Sequence, residues 1–169
     1  MRTQIIFIIL ILNSAFGFSQ ADSLTTQNIE IKSHIIDSDL GKRVSKHKFE
    51  LDSIAVKAKR YENKIQAECK FGSSKLKLQI ECFFENGILQ LIRFTEISEG
   101  FKKYDAKKVT EFYYVNGKKV DKKVRSYFPG ILAELGVPKD TDKAFGYNKK
   151  WTTDFLLILA DQIMEQTTE

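Results

Sequence analysis

Between Lys64 and Val115 apolar side chains recur at every second position. Ile65, Ala67, Cys69 and Phe71 alternate with Gln66, Glu68 and Lys70. Leu76, Leu78, Ile80, Cys82 and Phe84 alternate with Lys75, Lys77, Gln79 and Glu81. A period of two sorts side chains onto the two faces of a strand. Turn chemistry separates the runs: Gly72-Ser73 after the first, Asn86-Gly87 after the second, and Asn116-Gly117 after a strand over 108–115. Asn-Gly tolerates the two positive φ angles of a type I′ turn, whose twist matches that of the flanking strands. A further strand spans 88–97, and a charged loop spans 98–107. Beyond Gly117 the pattern blurs. Val120, Val124 and Phe128 suit either a strand or a helix, and the lysines around them point to an edge strand, where charge blocks unwanted pairing.

At both ends the period lengthens. Ile31, Ile35, Ile36 and Leu40 recur at helical spacing, as do Leu51, Ile54, Ala55 and Ala58. The pattern predicts two helices there, although Ile54, Val56 and Ala58 also fit a strand. Pro129 suits the first position of a short helix, with Gly136 as its stop and Pro138 beyond. Trp151, Phe155, Leu159 and Ile163 define an amphipathic C-terminal helix. The expectation is one α+β domain: an antiparallel meander of four or five strands packed with N-terminal and C-terminal helices. Residues 20–62 are mainly helical in this reading, 64–128 form the meander, and 129–166 are helical.

Counting back from Asn86-Gly87 pairs Phe84 with Leu89 and Cys82 with Leu91. These join Ile65, Ala67, Leu78 and Ile80 on a core face. The other face, wet with lysines, Gln79 and Glu81, then receives Phe83, Ile88, Ile92 and Phe94 near the turn. Apolar groups on a solvated face mark a contact site, so these four and Tyr113 are the candidate partner-binding residues. Cover by the terminal helix or by the 98–107 loop is the alternative. With Gly72-Ser73 as the turn, Cys82 lies roughly 20 Å along the partner strand from the residue opposite Cys69; with Ser73-Ser74 it lies about 14 Å away. Either distance exceeds the reach of a disulfide, so both thiols are expected reduced, buried and on one face.

Tyr113 enters through an internal echo. Glu81-Cys-Phe-Phe-Glu-Asn-Gly87 matches Glu111-Phe-Tyr-Tyr-Val-Asn-Gly117 in its acid, its aromatics and its turn. Two units are too few for a repeat array, and convergence on the same turn chemistry accounts for the match. The echo resembles the aromatic-x-Asn-Gly hairpins of small exported bacterial proteins with PepSY-like or β-lactamase-inhibitor-like meanders. That resemblance implies an α+β meander with a binding or inhibitory role and no catalytic residue. The second copy departs after Gly117, where lysines replace apolar residues.

Composition adds an address. Arg2, the apolar run Ile5 to Leu12 and the small residues up to Ala21 have the layout of a secretory signal over 1–19. The apolar run is shorter than the roughly 20 residues that span a bilayer. The mature chain, 20–169, is expected in the periplasm or outside the cell. Removing Arg2 changes the formal charge from +5 to +4 (5 − 1). The lysine doublets are spread among acids and aromatics rather than clustered, which argues against nucleic acid as partner.

Chemistry is sparse. The two histidines, His34 and His47, lie in the polar N-terminal part, and both cysteines sit in apolar rows. A cysteine nucleophile needs a histidine beside it. Asp140-Thr-Asp142 lacks the later ligands and the glycine of a calcium loop. Glu81 and Glu111 occupy matching positions, as an acid–base pair would need, but nothing in the sequence brings them together. No cofactor or metal is expected. The reading is a non-enzymatic binding or inhibitor-like protein that acts through a sheet face on an envelope or extracellular protein. The alternative is a carrier with a small apolar ligand held between sheet and helices, in a cavity lined by Phe84, Leu91 and Phe155.

The native protein is expected to begin at Gln20 or Asp22. Mass spectrometry of the purified native protein checks this, and an intact Met1 end would overturn it.

Overall fold

Seven strands follow one another along the chain and lie side by side in the same order: β1 Arg43–Leu51, β2 Ile54–Tyr61, β3 Lys64–Phe71, β4 Leu76–Glu85, β5 Ile88–Ser98, β6 Lys107–Val115 and β7 Lys118–Tyr127. Every neighbouring pair is antiparallel. Residues 25–38 form helix α1, and Thr153–Thr168 form helix α2. The computed structural model describes residues 25–72, 76–98, 107–127 and 151–168. The expected helix after Pro129, residues 99–106 of the expected charged loop, Asp140 and Asp142 lie outside the described residues.

The α+β meander with helices from both ends is the observed architecture, but the sheet is larger than four or five strands. Residues 43–61, expected to be mainly helical, are the hairpin β1–β2. The alternation of Ile54, Val56 and Ala58 prevails there, because these three side chains face the core while Ala55, Lys57 and Lys59 face solvent. Asp52 and Ser53 close the hairpin with positive φ angles of 44° and 72°. Lysine-rich β7 is an edge strand, as its charges suggest.

Helix α2 packs across one face of the sheet. Leu156, Leu159, Ala160 and Ile163 meet a layer that includes Val56, Ile65, Ala67, Leu78, Ile80, Ile92, Phe94 and Phe112. Trp151, just before the helix, stacks on Phe71 at 4.6 Å between ring centroids. Cys69 and Cys82 are free and buried in this same layer. Cys69 pairs with Leu78, which is the second of the two registers considered. Burial pushes the Cys69 thiol up to about 12 and raises that of Cys82 as well, so both are chemically quiet.

Both Asn-Gly turns have the expected backbone, with φ of 52° and 77° at Asn86-Gly87 and 50° and 74° at Asn116-Gly117. The same irregularity follows each turn. Phe84 pairs with Leu89 but Phe83 pairs with Leu91, leaving Gln90 as an extra residue. Tyr114 pairs with Lys119 but Tyr113 pairs with Asp121, leaving Val120 as an extra residue. An inserted residue of this kind reverses the facing of everything beyond it. Cys82 therefore pairs with Ile92 and not with Leu91. Ile92 and Phe94 turn into the α2 layer, while Leu91 joins Phe83 and Tyr113 on the opposite face beneath Ile29 of helix α1.

The proposed contact patch is thereby taken apart. Phe83, Ile92, Phe94 and Tyr113 are all at most 1% exposed, on two different faces; Ile88, at 51%, is the only one of the five at the surface. Phe94→Ala is expected to cost about 3–5 kcal/mol, the range for truncating a buried phenylalanine. Ile88→Ala is expected to change stability by no more than about 0.5 kcal/mol. Denaturant melts of the two variants check the assignment, and similar midpoints would overturn it.

Candidate functional site

Helix α1 meets the sheet mainly through charge. Its buried positions are Thr26, Ile29 and Ser33, with Ile36 half-buried, whereas Ile31 and Ile35 are exposed. Beneath it lies one apolar row, Phe83, Leu91 and Tyr113. The adjacent row is Glu81 on β4, Arg93 on β5, Glu111 on β6 and Lys123 on β7, each directly opposite the next. The two glutamates of the echo are thus brought together, with an arginine between them.

Arg93 donates from Nε to Glu111 Oε1 at 2.8 Å, from Nη1 to Asp37 Oδ2 at 2.9 Å, and from Nη2 to Ser33 Oγ at 3.1 Å. Its Nη1 also lies 3.6 Å from Glu81 Oε2. Lys64, buried on β3, donates to Glu81 at 2.6 Å and to Asp37. Glu111, buried on β6, accepts from Tyr113 Oη at 3.0 Å and pairs with Arg125 at 3.2 Å. Arg125 and Lys123 of β7 both hold Glu30 of the helix. Lys64 and Arg93 also sit 4.7 and 4.9 Å from the Phe83 ring centroid. Phe83 is therefore a platform for cations and not a surface anchor.

The charges tune one another. Burial alone would lower the Arg93 guanidinium, but hydrogen bonds to Glu111 and Asp37 hold it above its ordinary value. Burial and the neighbouring Glu111 charge raise the Tyr113 phenol, so its proton stays in place. Burial would raise the Glu30 carboxyl, yet the hydrogen bonds and charges of Arg125 and Lys123 keep it below the ordinary value of 4.5. Glu81 and Glu111 are thus spent on cations, which suits a structural role better than proton transfer.

Among the described residues, a hollow of about 420 Å³ lies on the same face beyond helix α1, over β4–β7, with Gln79, Thr95, Val109 and Arg125 along it, Lys107 and Tyr127 at its far side, and His34 of the helix at its rim. Gln79 also borders a second hollow of about 340 Å³ over β1–β4, where Lys46, Lys48, Lys57 and Lys59 stand around Gln66 and Glu68. Together they form a polar trough across the sheet. Sequence reasoning missed it because its residues read as an ordinary wet strand face. His34 borders the trough while both cysteines lie in the layer on the opposite face. His47 bonds to Ser45 Oγ at 2.6 Å, and Asp154 sits in the first turn of helix α2. Among the described residues no three His, Cys, Asp or Glu side chains are grouped to hold a metal ion.

Phe84 and Phe155 pack on the α2 layer whereas Leu91 belongs to the α1 layer, so they do not line one cavity. The apolar hollow between Ile29, Ile36 and Phe83 measures about 20 Å³, far below the roughly 300 Å³ of a small-ligand site. No helix of the described residues is long and apolar enough to cross a membrane. No protein-family model, curated protein or solved structure matches the chain.

The depressed Glu30 carboxyl sets a pH dependence. A carboxyl held below its unfolded value contributes stability that is complete above that value and lost as pH falls through the folded one. The helix α1 contact is therefore expected to weaken as pH drops below about 4.5. Glu30→Gln should lower stability at neutral pH by up to about 1 kcal/mol, the range for partly exposed pairs, and flatten the acid limb. Denaturant melts across pH check this; an unchanged acid limb in the variant would overturn it.

Proposed function

We propose that the chain is an exported, non-enzymatic binding protein whose working surface is the open trough beside helix α1, and that it engages an envelope or extracellular protein there. The observation that carries this reading is the contrast between the two sheet faces. One is buried under apolar side chains and helix α2. Among the described residues helix α1 covers the rows of the other that lie nearest the Asn-Gly turns, and a hollow lies over the next row. The trough mixes amide, hydroxyl, cationic and aromatic groups, the composition of a polar interface rather than of a lipid pocket. The charged groups at its inner wall are already paired, so they give it a rigid edge, while Gln79 and the cation–ring pair of Lys107 and Tyr127, 5.4 Å apart, line its outer part, where a partner would meet them. The binding residues move from the hydrophobic set first expected to this polar one.

Photo-cross-linking tests the reading. A benzophenone side chain at Gln79, where the two hollows meet, should yield discrete protein adducts in the native envelope fraction. The same group at Ile158, exposed on the outer side of helix α2, should yield none. Adducts of small-molecule mass would favour a carrier, and equal labelling from both positions would overturn the trough as the working surface.

A further inference from the structure

Strand β1 is the outermost strand at its side of the sheet, and no described strand pairs with its outer edge. Its nine residues form a template for another strand, which natural sheets usually guard with charged side chains, lysine above all. Here the guard has two signs. On the α1 face, the exposed side chains run Lys46, Lys48, Glu50 and then Asp52 at the turn. The series inverts in sign about Phe49.

The lysines of this edge are also poorly neutralised within the chain. Lys46 stands opposite Lys59, and Lys48 opposite Lys57. Like charges directly opposite destabilise a sheet. Glu68 stands opposite Lys57 on the far side, but neither residue has an ion pair among the described residues.

We propose that a second copy of this chain docks edge to edge on β1, antiparallel, with Phe49 on the two-fold axis. In that register Lys48 faces the partner's Glu50, and Lys46 faces the partner's Asp52. Two-fold symmetry makes each pair twice. Phe49 meets the partner's Phe49 on the α2 side of the sheet, extending the apolar layer against which it packs.

The backbone permits this register. The two-residue turn Asp52-Ser53 makes Leu51 and Ile54 a hydrogen-bonded pair. Antiparallel pairs alternate, so Phe49 with Val56 and His47 with Ala58 are also hydrogen-bonded. The N–H and C=O groups of Lys46, Lys48 and Glu50 therefore point outward. Lys48 against the partner's Glu50 matches outward groups with outward groups, and a continuous ladder forms. Sliding by two residues sets Lys48 against the partner's Lys48, or Glu50 against the partner's Glu50. Sliding by one residue misaligns both the backbone groups and the faces. Each of these neighbouring registers thus carries a like pair on the axis, whereas the register centred on Phe49 makes only unlike pairs and is favoured by charge. Such a pairing closes the exposed edge and joins the lysine-lined hollows of two copies across the axis.

The test uses the mature chain in sedimentation velocity over a concentration series at low salt. The parent should sediment as a dimer. Lys48→Glu sets two glutamates face to face, and Glu50→Lys sets two lysines face to face; each should weaken the dimer by roughly tenfold or more. Both positions are exposed, so each variant should keep its circular dichroism and melting midpoint. An equal mixture of the two variants should re-form a dimer that contains one of each, because every cross-axis pair is then unlike in sign. A second variant, Phe49→Cys, should form an intermolecular disulfide on mild oxidation, since residues paired on the axis lie about 4.5 Å apart. A parent that stays monomeric throughout, a dimer indifferent to both charge changes, or a mixture that fails to associate would each overturn the proposal.

Discussion

The guanidinium of Arg93 is the constraint on which the rest of the α1 side depends. It sits on the middle strand of the network, its side chain only 12% exposed, and an unpaired charge there would cost several kcal/mol. Its planar fork satisfies that demand in three directions at once: Glu111 on the next strand, Asp37 on the helix, and Ser33 one turn earlier. Glu81 closes the fourth side. A fork with fixed geometry accepts few alternatives. The pairing of β4, β5 and β6 and the seating of helix α1 are therefore fixed by one group. Lysine in its place would supply charge but not the fork.

The echo between the two hairpins supplies the two glutamates that this fork requires. In each copy the acid stands two residues before the first aromatic that faces helix α1, Glu81 before Phe83 and Glu111 before Tyr113. The extra residue after each Asn-Gly turn keeps the pattern in step. Were Gln90 paired in regular alternation instead of bulged out, Leu91 would turn away from Phe83, and Arg93 would face the apolar layer opposite Ile80. The shared turn and bulge are thus a device for moving a hydrophobic strand through the sheet while delivering one arginine to the other side.

These facts explain what the sequence made legible and what it hid. Helix α2, the meander and both Asn-Gly turns were readable because each buries an apolar row of regular period. The face of helix α1 was not. Ile31 and Ile35 looked like its core side, but Glu30, Ser33 and Asp37 are the positions that face the sheet, because the surface they meet is ionic. The bulge was hidden by the assumption of strict alternation from Leu89 and Leu91. That alternation sends Arg93 and Thr95 into the core and Ile92 and Phe94 out of it, a conflict that pointed to an inserted residue. Strands β1 and β2 were obscured because their outer positions are mostly lysine and alanine, which fit a helix equally well. The trough could not be seen at all, since it depends on how much of the face helix α1 leaves bare.

That bare area follows from simple geometry. Successive side chains on one face of a strand are about 6.8 Å apart, twice the rise per residue. Strands of nine to eleven residues therefore present several such rows. Helix α1 crosses the strands: Glu30 reaches β7, Ser33 meets β5, and Asp37 reaches β3. A helix about 10 Å wide laid in that direction covers two rows. They are the row of Phe83, Leu91 and Tyr113 and the row of Glu81, Arg93 and Glu111. The next row is Gln79, Thr95, Val109 and Arg125, and of these Arg125 reaches back to Glu30 of the helix. Thr95 and Val109 of this row are buried, while Gln79 and Arg125 stay partly exposed and make the hollow polar. The charge network thus does two things with the same residues. It anchors the helix over the turns, and it presents a fixed wall to the trough that the helix leaves open.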